Sequence, residues 1–253
     1  MASSALPRQF ALDINQVPKP SFHNFLPNGN EALIDALHHS IAVWNSPPNT
    51  PSHSIEGRWF YWWGSDGSGC SHLLSAIANQ AEQHQIGAIR LFPSQPSGWV
   101  DAESKLAATE GSQSLVLTID DVDRLDEHQQ ASLFRILNIV HASPHCFVYL
   151  SGHAPPKQLA LREDLRTRIG WGLIFEVHPL SDSEKMEALS RAAKERGLVL
   201  SNEVLPWLIH HFYRDMPSLM ALLDALDAYS LETKRAITLP LVRELLQISG
   251  HTP

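Results

Sequence analysis

A short glycine-rich loop is the feature that most restricts the fold of this 253-residue chain. The segment GSDGSGCS, residues 64–71, follows the apolar run WFYWW and precedes a stretch with the apolar spacing of a helix. It matches the pattern G-x-x-x-x-G-x-[ST], in which backbone N–H groups surround a phosphate at a helix N-terminus. The alternative is a glycine turn that joins strand to helix without a ligand.

Strands and helices alternate around this loop. The pattern predicts helices over 31–44, 71–84, 99–109 and 127–141, a loop over 45–57, and a helical approach to residue 168. It predicts five strands: 58–63, 86–92, 115–121, 146–151 and 173–179. After residue 179 the strands stop. Ser181 or Asp182 can cap a first helix that ends near Gly197, Ser201 or Asn202 opens a second, Asp215 a third, and Thr238 with Pro240 a fourth. We therefore predict a tail over 1–24, an α/β domain over 25–179 with a parallel sheet between two helical layers, and a small all-helical domain over 180–253.

Composition limits the partners and the compartment. Nineteen basic against 27 acidic residues give a net charge of -8, which argues against a broad nucleic-acid surface and leaves any tie to DNA indirect. The sequence contains neither a membrane-spanning apolar stretch nor a secretory signal, so we expect a cytoplasmic protein without membrane contact. The two cysteines, Cys70 and Cys146, do not form a C-x-x-C metal or redox motif.

The candidate chemistry is nucleotide binding, with ADP or ATP and magnesium as the candidate cofactors. The Ser71 hydroxyl is placed to reach magnesium, whereas Cys70 stands where the phosphate-binding lysine belongs. The run LVLTIDD ends in two carboxylates of which Asp120 could hold the metal and Asp121 could orient the attacking water; the alternative is a simple helix cap. The candidate nucleotide-binding residues are Gly64, Gly67, Gly69, Cys70, Ser71, His72, Asp120 and Asp121.

Several phrases together resemble one family. WWGSDGSGCSHLL, IDDVDRL, APPKQL, DLRTRIGWGL, PLSDSEKMEAL and TLPLVREL are similar to the DnaA-related AAA+ family, and within it to regulators of the Hda type. The resemblance implies an AAA+ sandwich followed by a helical lid domain. It also implies the DnaA initiator as a partner, self-association as a further expectation, and Arg168 as an arginine finger that acts in trans. From the residues alone, Arg166 and Arg168 could equally lie on a solvated helix face.

The tail carries a second resemblance. QFALDI is similar to the peptide by which such regulators bind the replicative sliding clamp, with phenylalanine where that peptide has leucine. The alternative is a tail with chance alternation of apolar residues. The candidate clamp-binding residues are Gln9, Phe10, Leu12 and Ile14.

The departures from the family pattern concentrate around the nucleotide. Cys70 removes the lysine charge, Gly152 or His153 stands where a polar sensor would end the fourth strand, and Pro217 occupies the position of the second sensor arginine, with Arg214 one turn earlier. The sequence therefore favours a clamp-tethered protein that makes DnaA hydrolyse its ATP without an ATPase activity of its own. The alternatives are an adaptor that tethers a partner without accelerating it, and a self-contained ATPase using Ser71, Asp120 and Asp121.

Overall fold

The computed structural model of the chain describes residues 19–46, 54–108, 114–211, 216–233 and 235–248. These residues divide into two compact units, Lys19–Pro179 and the part from Leu180 onward. None of the described helices is both long enough and apolar enough to cross a membrane.

The first unit contains a five-stranded sheet in the order β2-β3-β4-β1-β5. All four strand pairs are parallel, which confirms the predicted sheet. Its strands are β1 (Trp59–Trp63), β2 (Gly87–Leu91), β3 (Leu115–Ile119), β4 (Cys146–Gly152) and β5 (Leu173–Glu176). Its helices are α1 (Glu31–Ala42), α2 (Ile55–Arg58), α3 (Cys70–Gln83), α4 (Pro96–Ala108), α5 (Glu127–Ala142) and α6 (Glu163–Ile169).

Both faces of the sheet are buried, because successive strand residues point to opposite sides. In β1, Trp59 and Tyr61 pack with residues of α4, α5 and α6. Phe60 and Trp62 pack on the other side with residues of α1 and α3. This alternation explains why the strands read as continuous apolar runs, and it produces the three-layer α/β/α sandwich expected from the sequence.

The entry to β1 differs from the prediction. Ile55–Arg58 forms one helical turn instead of loop and strand, so β1 begins at Trp59. The Arg58 side chain is buried and donates hydrogen bonds to the carbonyl oxygens of Val140, His141 and Cys146 at 2.8, 3.0 and 3.1 Å. The guanidinium thus satisfies the carbonyl oxygens of Val140 and His141 in the last turn of α5, where a helix leaves its acceptors without helical partners, and that of Cys146 at the start of β4. Sequence periodicity does not report this distant contact.

The second unit is helical. It consists of α7 (Asp182–Glu195), α8 (Val204–His211), α9 (Met216–Thr233) and α10 (Leu239–Ile248), which bury a shared apolar core. Ser181 caps α7 as predicted: its hydroxyl accepts from the Glu184 amide while the Glu184 carboxylate accepts from the Ser181 amide. Gly197 follows the same helix with a φ of 71°, the left-handed conformation expected at this end. The predicted cap Asp215 lies outside the described residues.

Candidate functional site

The glycine loop lies between the carboxyl end of β1 and the N-terminus of α3, as its pattern predicts. Gly69 is the residue before α3 and has a φ of 102°, a conformation that side chains disfavour. A β-carbon at Gly64 would lie 2.5 Å from the Ser68 hydroxyl oxygen and 2.6 Å from the Val177 carbonyl oxygen. Both positions therefore require glycine, one for its conformation and one for the close approach of neighbouring atoms.

A neutral thiol occupies the position of the expected lysine. Cys70 is the first residue of α3, and a hydrogen bond of 3.4 Å joins its Sγ to Ser68 Oγ. Burial raises the pKa of the Cys70 thiol to about 11; the Ser68 hydrogen bond opposes this shift, and the charges of Asp120 and Asp121 add to it. The loop therefore presents a helix N-terminus without a cation on its first residue.

The two carboxylates after β3 have different surroundings. Asp120 is buried and accepts a hydrogen bond from the hydroxyl of Ser151 in β4. Asp121 is partly exposed, has a positive φ of 49°, and forms an ion pair of 3.1 Å with Arg124. Burial and the neighbouring Asp120 charge raise the pKa of Asp121, against the opposing effects of Arg124 and His153. Asp120, the carboxylate predicted to bind a metal, is thus held by Ser151, whereas Asp121 is engaged by Arg124.

His153 links the glycine loop to the turn after β3. Its Nε2 lies 3.1 Å from a carboxylate oxygen of Asp66, and its Nδ1 lies 3.0 Å from a carboxylate oxygen of Asp123. Partial burial lowers the pKa of His153, but the hydrogen bond and charge of Asp123, with the charge of Asp121, outweigh it and raise the pKa above its usual value. The carboxylates around the imidazole therefore favour its protonated form at the end of the sheet where the expected lysine is absent.

Sequence analysis missed two of these contacts. It placed Gly152 or His153 where a polar sensor would end the fourth strand, whereas the polar residue that bonds to Asp120 is Ser151. It also did not connect His153 with Asp66, which lies 87 positions away in the chain. Neighbouring parallel strands bring their carboxyl ends to one edge of the sheet, so the polar ends of β3 and β4 carried a usable signal.

A segment before α1 covers one side of the loop. A ring carbon of Phe25 lies 2.8 Å from the position of a β-carbon at Gly69, and the Phe25 ring lies 5.8 Å from the His72 ring. His72 Nε2 lies 3.0 Å from the Ser21 carbonyl oxygen. Burial lowers the pKa of His72, while the hydrogen bond with Ser21 opposes this shift. His72, predicted as a nucleotide-binding residue, is thus engaged with the chain that precedes α1.

The loop fits a magnesium nucleotide in part. The left-handed Gly69 precedes the helix N-terminus, where the first amide groups of α3 lack acceptors within the helix and can face phosphate oxygens. Ser71 and Asp120 supply the oxygen ligands that magnesium prefers. Such a group would neutralise phosphate charge, but the Cys70 thiol cannot share in that task. Among the described residues no cluster of His, Cys, Asp or Glu is arranged to hold a metal ion by itself.

Arg168 makes its described contacts away from the glycine loop. It lies in the last turn of α6, where its guanidinium carbon is 3.9 Å from the centroid of the Phe134 ring in α5 and 5.2 Å from that of Trp171. Its Nε donates to Asn138 Oδ1 at 3.0 Å. Arg166 takes a different direction, since its Nη1 donates to the Lys157 carbonyl oxygen at 3.3 Å.

Comparison with known proteins identifies the family. The family model described as the Hda lid domain matches residues 182–246. A protein of Haemophilus influenzae, described as uncharacterized, is 30% identical over 244 residues, which cover 95% of this chain and 99% of that protein. The chain belongs to the DnaA-related AAA+ family and is of the Hda type.

Solved structures of DnaA share the fold of this Hda-type chain. Domain III of the Thermotoga maritima replication initiation protein DnaA matches with a TM-score of 0.63 at 21% identity, covering 91% of this chain and 96% of that one. DnaA from Aquifex aeolicus bound to AMPPCP matches with a TM-score of 0.60 at 21% identity, covering 85% of this chain and 67% of that one. The AAA+ sandwich and the helical lid are therefore confirmed. Some predicted site residues lie outside the described part of this Hda-type chain: Gln9, Phe10, Leu12, Ile14, Arg214 and the side chain of Pro217.

Proposed function

We propose that this chain is a negative regulator of replication initiation that acts on DnaA. It is held on the DNA-loaded sliding clamp by the peptide from Gln9 to Ile14, and it stimulates hydrolysis of DnaA-bound ATP through Arg168. The Hda lid match over residues 182–246 supports DnaA as the partner. The net charge of -8 is consistent with a protein that reaches DNA through the clamp instead of binding it over a broad surface.

The observation that carries this proposal is the contrast between two positions. At the phosphate loop, the expected lysine is a thiol with a pKa of about 11, because burial disfavours its ionised form. On α6, Arg168 keeps a permanent charge on a partly exposed side chain. An arginine supplied in trans is worth about 10³ to 10⁵ in the rate of phosphoryl transfer. One cation on α6 is therefore sufficient for a stimulating role, whereas hydrolysis by this chain itself would need the missing lysine.

The tail sequence supports the tether. An extended peptide with alternating apolar side chains can bind a groove at the cost of ordering only its own few residues. Phe10, Leu12 and Ile14 have this alternation and directly follow Gln9. Binding to the loaded clamp would raise the local concentration of the regulator beside newly replicated DNA, where DnaA is to be inactivated.

The deciding experiment measures hydrolysis of DnaA-bound ATP with DNA-loaded clamp, with and without this protein. We expect stimulation by the unmodified chain, and its loss in Arg168→Ala with clamp binding retained. Arg168→Lys should restore little, because an ammonium lacks the planar fork that spans two phosphate oxygens.

Arg166→Ala is the matched control, since Arg166 lies on the same helix and contacts the Lys157 carbonyl oxygen instead of α5. It should retain most of the stimulation. If Arg168→Ala stimulates as well as the unmodified chain, the finger assignment is wrong and the protein acts as an adaptor. Thermal unfolding of each variant separates loss of function from loss of fold.

A further inference from the structure

Two residues of α5 hold the guanidinium of Arg168. The Phe134 ring lies 3.9 Å from the guanidinium carbon, well inside the range of a cation–π contact. Asn138, four residues later, accepts a hydrogen bond from Arg168 Nε at 3.0 Å. Residues four apart lie on the same face of a helix, so a single face of α5 supplies both contacts.

Two further contacts lie outside α5: a hydrogen bond within α6, and the ring of Trp171, whose centroid lies 5.2 Å from the guanidinium carbon. Arg168 Nη1 donates to the carbonyl oxygen of Asp164 at 3.0 Å, one turn earlier in the helix. A guanidinium has five N–H donors, and these two hydrogen bonds use one on Nε and one on Nη1. Within the described part of the chain, Nη2 forms no hydrogen bond. Hydrogen bonds along one edge and the Phe134 ring on one face therefore hold the guanidinium of Arg168, while most of its N–H donors stay available to a partner.

We propose that Phe134 and Asn138 are positioning residues for Arg168, which order its guanidinium before it meets the partner's phosphate. The inference rests on the proposed role of Arg168 in trans. A free arginine side chain loses rotamer freedom when it enters a binding site, and that loss opposes the reaction. A side chain already ordered by α5 avoids much of this cost, so the benefit appears in the transition state where the charge develops.

The test removes the ring while keeping an apolar side chain at the same position. Phe134→Leu removes the ring face, and Phe134→Tyr keeps it. We expect Phe134→Leu to lower the maximal rate of stimulated ATP hydrolysis about 3- to 30-fold, the range of one cation–π contact. The concentration of the protein that gives half-maximal stimulation should stay unchanged, because docking on the clamp does not involve this face. Phe134→Tyr should retain the maximal rate.

Asn138 provides an independent test because its side chain is exposed and its replacement should leave the fold intact. Asn138→Ala should lower the maximal rate in the same way as Phe134→Leu. Asn138→Asp should lower it further, since a carboxylate beside Nε binds and neutralises the guanidinium, and added salt should recover part of that loss. A general disturbance of α5 would not show this dependence on charge and salt.

Arg135→Ala is the matched control. It lies on α5 next to Phe134, but it pairs with Glu103 at 2.8 Å instead of contacting Arg168. It should leave the maximal rate unchanged. If Phe134→Leu and Asn138→Ala both keep the maximal rate while Arg168→Ala abolishes stimulation, the proposed function stands and the positioning role is overturned. If Arg168→Ala itself keeps the rate, the proposed function fails and the positioning role fails with it.

Discussion

Restoring the lysine of the phosphate loop is the most direct test of what Cys70 does. In Cys70→Lys an ammonium replaces a thiol at the first residue of α3, beside a loop whose glycine conformations are already those of an anion site. We therefore expect Cys70→Lys to bind ADP more tightly than the unmodified chain.

The magnitude follows from the charges around the thiol. Because burial raises the pKa of Cys70 to about 11, its side chain is neutral near pH 7 and contributes no charge to nucleotide binding. A hydrogen bond with a charged group contributes about 1.5–3 kcal/mol, which corresponds to about 10- to 150-fold in affinity. The carboxylates of Asp120 and Asp121 act on Cys70 electrostatically and would also attract the ammonium. Because the carboxylates compete with the phosphate for the ammonium, we expect a gain in ADP affinity at the lower end of this range, about tenfold.

Isothermal titration calorimetry with magnesium ADP near neutral pH measures the effect. Cys70→Met is the control, since it lengthens the side chain without adding a charge and should leave the affinity unchanged. An equal gain in ADP affinity in both variants would mean that the larger side chain, and not its charge, improves binding. Sub-micromolar affinity of the unmodified chain for ATP, with no gain in Cys70→Lys, would refute the reasoning altogether.

Three further predictions concern other parts of the chain. Because the folded pKa of His153 is raised, its stabilising effect is present below the unfolded pKa of about 6.5 and is lost as pH rises through the folded value. In urea unfolding, His153→Gln should therefore lose more unfolding free energy at about pH 5.5 than at about pH 8, and an equal loss at both pH values would contradict this. Arg58→Ala should lower the free energy of unfolding by about 3 kcal/mol, because several buried carbonyl acceptors lose a charged donor, and a loss below about 1 kcal/mol would show that water replaces it. Alanine at both Gln9 and Leu12 should abolish clamp binding in surface plasmon resonance while leaving the thermal transition unchanged, and surviving binding would place the contact elsewhere.

The sequence predicted the sheet because its signals are local. LVLTI is apolar except for Thr118 because β3 has neighbours on both sides and helices on both faces, and GSDGSGCS has the glycines that a strand-to-helix turn requires. The Ser181 cap and Gly197 were equally local. Features of this kind depend on the conformation of a few consecutive residues, so a single sequence reports them.

The contacts that sequence reasoning missed join distant residues. Asp66 and His153 meet because β1 pairs with β4, so the segments after the two strands emerge side by side. Arg168 meets Phe134 because α5 and α6 pack on the same face of the sheet. Both contacts depend on strand order and on the direction of individual side chains, and no residue pattern within one segment encodes either.

The two candidate sites place different demands on their surroundings. Phosphate binding at the glycine loop needs more positive charge than the loop residues supply. Among the described residues, Asp66 pairs with His153, Asp121 pairs with Arg124 and His153, and Asp120 is bonded to the neutral hydroxyl of Ser151. A residue that acts on a partner's nucleotide needs only a charge that is permanent and already ordered, which Arg168 obtains from Phe134 and Asn138. Loss of the loop lysine therefore weakens this chain as a hydrolase while leaving intact the physical requirements of an arginine acting in trans.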